Sequence, residues 1–326
     1  MSFWQKALKK SSAILKAALA LALFVGVTYS VSLVFFYLKI DRNIFKGAFN
    51  FVTGVLVFVA TFIVNKVCSS KGDPLIKLRR LRPDQTVAVV IVGLGMLGFV
   101  ATYLSIVDRL AQSREAVNAA VEEYRESVDR FSDVPQVVIP VWDSVLYVLT
   151  LCLLVPVTEE MTFRGVIYGH LRRAFGPWTT VVLSAVSFGI MHGLSIHIGY
   201  ALACGLIIAT CYHLTDSLIA PVILHMVFNV FGSGIPTLMS IEEFGIPANI
   251  TRSFMVGTNT SAILFMPLSV LAIAYLVNVK RKMTKEEMAQ AEMAAAVNAA
   301  EAAEDTVMSN GQESGMTDGE GSEAAL

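Results

Sequence analysis

The chain has 326 residues, 55% of them hydrophobic and only 16% charged, with a formal net charge of −1 and a mean hydropathy of +0.64. Soluble domains carry roughly a quarter charged residues, so this composition excludes an ordinary water-soluble protein. A net charge near zero, with no long basic tract interleaved with aromatics, argues against a nucleic-acid partner.

A transmembrane helix needs about 20 predominantly apolar residues. Runs of that kind lie at 17–39, 48–67, 86–107, 141–162, 178–196, 197–214, 217–238 and 260–279. They predict an all-α polytopic membrane protein, a bundle of about eight transmembrane helices. The first run follows Lys6, Lys9, Lys10 and Lys16 and exceeds the roughly 7–15 residues of a signal-peptide core, so it reads as an uncleaved anchor. Lys71, Lys77, Arg79, Arg80 and Arg82 follow the second run, Arg172 and Arg173 the fourth, and Lys280, Arg281 and Lys282 the eighth. With eight crossings all of these fall on one side, which the positive-inside rule makes cytoplasmic. Both termini are thus expected in the cytoplasm of a multi-pass protein.

The chain divides into three regions: residues 1–139, with helices 1–3 and an outer amphipathic segment at 108–133; a core at 140–282, with helices 4–8; and an acidic, Ala-rich tail at 283–326. The tail ends in Gly, Ser, Asp and Glu with almost no bulky apolar residue, which predicts disorder. Cys68, Cys152, Cys204 and Cys211 show no disulfide or zinc-ligand spacing and read as small hydrophobes.

Ionisable residues at membrane depth cost about 2.5–3.5 kcal/mol on insertion scales and mark functional sites by default. Three clusters of polar residues stand out. In the fourth run, Glu159 and Glu160 are adjacent, so their side chains leave a helix about 100° apart and should not face one neighbour. Glu160 and Arg164 form an i,i+4 pair with the acid N-terminal, the favoured order, which leaves Glu159 free. Phe188 and His192 close the fifth run, and His225 and Asn229 share one helix face in the seventh.

Spacing links the three. With a turn at Arg173–Pro177, Glu159 and His192 both lie about 21–23 Å from it at 1.5 Å per residue. His225 and Asn229 lie about 14 and 20 Å in from Asp216 by the same rise. All four can share one interior layer. A carboxylate desolvated there is a candidate general base for hydrolysis, with His192 holding the water and His225 and Asn229 donating to an oxyanion. Glu159, His192 and His225 are also a ligand set that zinc accepts, although no HExxH signature is present.

Glu159-Glu160-x-x-x-Arg164, Phe188-x-x-x-His192 and His225-x-x-x-Asn229, in this order, resemble the CPBP (Abi) family of CAAX prenyl endopeptidases and bacteriocin-processing proteins. The resemblance covers roughly residues 145–235. It implies a helical intramembrane endopeptidase with Glu159 as base, His192, His225 and Asn229 as its partners, and Glu160, Arg164 and Phe188 supporting the site. Family names often say metalloprotease, but the resemblance favours a glutamate base with no metal cofactor, zinc being the alternative. The expected substrate is a membrane protein or lipid-associated peptide in the bilayer. Two other readings use the same residues: a non-enzymatic membrane immunity or scaffold protein of this fold, and a proton-coupled transporter.

Overall fold

The computed structural model describes residues 2–70, 72–129, 139–193 and 196–314. Its helices are α1 (Phe3–Tyr37), α2 (Lys46–Cys68), α3 (Pro83–Ala111), α4 (Glu115–Asp129), α5 (Val141–Arg172), α6 (Pro177–Met191), α7 (Ile196–Thr215), α8 (Ile219–Met239) and α9 (Ala248–Ser314). No named strand occurs among the described residues. The protein is an all-α polytopic membrane protein.

Seven of these helices are long and apolar enough to cross a membrane. The fifth predicted run is different. α6 has 15 residues, about 22 Å of helix, short of a hydrocarbon core of about 30 Å. Proline and glycine set its limits: Pro177 occupies the first turn, and Gly193 beyond the end adopts φ +90°, a left-handed conformation that stops a helix. His192 is therefore the capping residue of α6 and not part of its interior.

The amphipathic segment expected at 108–133 falls on the end of α3, up to Ala111, and on α4, with Val121 buried; residues 130–133 lie outside the described residues. The tail departs from the expected disorder, since α9 stays helical to Ser314. Ala, Glu, Met and Lys are strong helix formers, and extending an existing helix avoids the cost of nucleation. Residues 315–326 lie outside the described residues. The four cysteines are free, and Cys152, Cys204 and Cys211 are buried.

The chain forms two compact units, Met1–Leu276 and Val277–Leu326. In the first, small residues bring helices into contact, as expected where lipid removes the hydrophobic drive for association. A Cβ on Gly47 of α2 would come within 2.0 Å of the Asp143 carbonyl of α5, so only glycine allows that approach. The segment between α2 and α3 is also built in. Leu75 is fully buried, Ile76 nearly so, and both rest on α5 at Gly169 and Gly165. Asp73 binds Arg172 at 2.7 Å and Arg173 at 2.5 Å, Lys77 Nζ lies 2.9 Å from Asp216, and Leu218 N–H donates to the Lys77 carbonyl at 2.8 Å. This segment laces α5 to the α7–α8 turn.

Candidate active site

α5 carries the paired acids between two π-helical segments, Thr150–Leu154 and Met161–Ile167, and α8 has a third, Val230–Gly234, directly after Asn229. π-turns inside α-helices are rare and concentrate at functional sites. Two of the three share a cause. In the first, Val155 N–H bonds Thr150 O five residues back. The next donor in that register would be Pro156, which has no N–H. That leaves the Leu151 carbonyl orphaned, and Asn229 Nδ2 donates to it at 2.9 Å. In α8, Ile235 N–H likewise reaches Val230 O, and Pro236 follows.

Glu160 and Arg164 are fully buried and form the expected ion pair, Nη1 to Oε1 at 3.0 Å. Arg164 Nη2 donates to the Gly205 carbonyl of α7 at 3.1 Å, and its guanidinium lies 4.4 Å from the Phe188 ring centroid. Bidentate reach and a flat face that stacks on aromatics are what arginine offers here. His225 corrects the sequence reading that the two acids face different neighbours. Its Nδ1 donates to Glu160 Oε1 at 2.7 Å, while its Nε2 lies 3.9 Å from Glu159 Oε2. An imidazole carries nitrogens on two sides, so one ring can address two carboxylates whose stems diverge.

Glu159 is 17% exposed where Glu160 is at 0%. Its side chain lines a cavity of about 220 Å³ between α1, α2 and α5. His192 Nδ1 meets the Phe188 carbonyl at 2.8 Å. A carbonyl only accepts, so Nδ1 carries a proton and Nε2 is the ring nitrogen outside that bond. The His192 and His225 ring centroids lie 4.3 and 6.2 Å from that of Phe188. Phe188 thus joins both imidazoles and the buried arginine. Asn229 is tied to α5 two turns before Glu159, through its backbone bond to Leu151.

Among the described residues no three His, Cys, Asp or Glu side chains gather in an arrangement that could hold a metal ion.

Two contributors were missed in the sequence. Asp143, 1% exposed, accepts from the N–H groups of Gly47 at 2.6 Å and Ala48 at 2.8 Å, so it caps α2 from α5. Its signal was an acid inside a run read as membrane-spanning. The other is the α1–α2 wall beside Glu159, for which pattern gives no sign because it depends on which helices become neighbours.

Residues 141–231 match the family model described as type II CAAX prenyl endopeptidase Rce1-like. A Bacillus subtilis (strain 168) protein named "Putative membrane peptidase YdiL" is 26% identical over 141 residues, 43% of this chain and 56% of that protein. The chain thus spans about half the length of this curated relative. No solved structure matches it.

Proposed function

We propose, on the premise that residues 141–231 are a relative of the type II CAAX prenyl endopeptidases, that this chain is an intramembrane endopeptidase of glutamate type. Its substrate is a membrane protein or a lipid-associated peptide. The observation that carries the reading is the division of labour between two adjacent acids: Glu160 is spent on Arg164 and His225, whereas Glu159 opens to a cavity.

In this mechanism Glu159 takes a proton from water as the water oxygen adds to the scissile carbonyl carbon. His192, with Nε2 as its free ring nitrogen, helps hold that water. His225, through Nε2 when it carries a proton, and the second amide N–H of Asn229 donate to the oxyanion. Collapse of the tetrahedral intermediate breaks the C–N bond, and the proton on Glu159 passes to the leaving amine. No metal takes part. Glu160, Arg164 and Phe188 position these groups.

We further propose that α6, although short, completes an eighth crossing beside the seven longer spans, which places both termini in the cytoplasm. The support is the Lys and Arg clustering at 71–82, 172–173 and 280–282.

The test compares membrane proteomes of cells carrying the wild-type chain or Glu159→Ala, with and without exhaustive chelation. A precursor should accumulate in the variant, and wild-type processing should survive chelation. A variant that inserts and processes every precursor normally would refute the base. Processing lost on chelation and regained with zinc would refute the metal-free mechanism. Glu159-dependent proton flux in vesicles, without cleavage, would favour transport instead.

A further inference from the structure

The cavity beside Glu159 has mostly apolar walls, with Phe24 from α1, Phe49 and Val57 from α2, and Leu151 from α5. Besides the Tyr147 phenol, four of its lining side chains carry a hydroxyl or an amide. Asn50 Nδ2 donates to Lys46 O, Thr28 Oγ1 to Phe24 O, and Thr158 Oγ1 to Gly54 O. The fourth is Thr53, whose Oγ1 is buried and has no hydrogen-bond partner. A buried hydroxyl left unsatisfied is destabilising, and natural proteins keep few of them.

We propose that this cavity is a substrate subsite, in which an apolar side chain of an extended peptide fills the space between α1 and α2 and the Thr53 hydroxyl, turned about its χ1 bond into the cavity, donates to the peptide's backbone carbonyl. A lipid chain could fill the same volume, yet it offers Thr53 no acceptor and Glu159 no bond to hydrolyse. A peptide offers both. A larger cavity of about 350 Å³, between α3, α8 and α9, is lined by Leu94, Leu97, Phe231 and Phe265 among others and has no ionisable residue. It gives hydrolysis nothing to work with. The site's acids and histidines lie within 141–231, but α1 and α2 lie outside that matched segment. Selectivity for the apolar side chain therefore belongs to the N-terminal helices of this chain. The inference rests on the endopeptidase reading above.

The test uses the full chain in liposomes with internally quenched transmembrane peptides that carry Ala, Leu, Phe or Trp at successive positions. Loss of one hydrogen bond in Thr53→Val should lower kcat/KM by about 3- to 10-fold, and Thr53→Ser should restore it. Phe24→Ala, by enlarging the cavity, should shift preference at one peptide position toward Trp, and Glu159→Gln should cleave none of them. Wild-type rates and wild-type preference in both Thr53→Val and Phe24→Ala, with Glu159→Gln inactive, would overturn the subsite and leave the endopeptidase reading intact. Wild-type cleavage by Glu159→Gln would overturn both.

Discussion

Glu159 and Glu160 have identical chemistry and adjacent stems, and burial and partners set them apart. Glu160 Oε1 accepts from Arg164 and from His225, so it holds two helices and one imidazole in place. Removing it leaves a fully buried guanidinium without its ion-pair partner, a change that costs about 3–5 kcal/mol. Glu160→Ala should therefore melt far below the wild type in detergent, whereas Glu159→Ala, at a partly open position, should melt close to it. Thermal shift read by size-exclusion chromatography checks this, and equal melting of Glu160→Ala and wild type would remove the structural role given to Glu160. The i,i+4 pair of Glu160 and Arg164 was legible in the sequence because it follows from helix geometry alone. His225 bridging the two acids was not, since it depends on how α8 rotates against α5.

Helix positions were legible from apolar length, and their irregularities were not. The first π-segment of α5 and the one in α8 precede Pro156 and Pro236, two prolines inside runs read as helix. Asn229 was expected beside the reacting carbonyl, and the bond it makes is to the carbonyl that Pro156 orphans. The segment between α2 and α3 read as a basic loop, but Asp73 makes it a strap across the end of α5. Burial pushes the Asp73 carboxyl up, yet the hydrogen bonds and charges of Arg173 and Arg172 outweigh it and hold the group below the usual carboxylate range. A group depressed in the folded state stabilises fully above its unfolded value of about 3.9, and loses that contribution as pH falls through the folded value. Asp73→Asn should thus lower the melting temperature at pH 7, with the gap to wild type closing below about pH 4. The side chain is 42% exposed, so screening limits the effect to about 1 kcal/mol or less. A gap that stays constant from neutral pH down to about pH 3 would show that the carboxylate charge contributes nothing.

At the scale of the molecule, every residue assigned to the reaction lies in Met1–Leu276, and Val277–Leu326 is a separate compact unit. Composition marks the tail as having too few bulky apolar residues to offset ordering. It misjudged the backbone, because a helix already nucleated within the bilayer propagates through Ala, Glu and Met without packing. Residues 284–298 are exposed all round, so this stretch of helix buries nothing. A chain ending at Lys282 keeps the basic cluster after the last span and loses the exposed stretch 284–298 and the residues beyond it. Such a chain should insert normally, melt with the full-length protein, and cleave liposome-borne peptides within about 2-fold of its rate, since surface changes away from packed features shift stability by about 0.5 kcal/mol or less. The same quenched-peptide assay measures it. Correct insertion with a loss of cleavage well beyond that margin would mean that the helix past Lys282 reaches the reaction, through substrate or through a partner, and that the catalytic unit extends past Leu276.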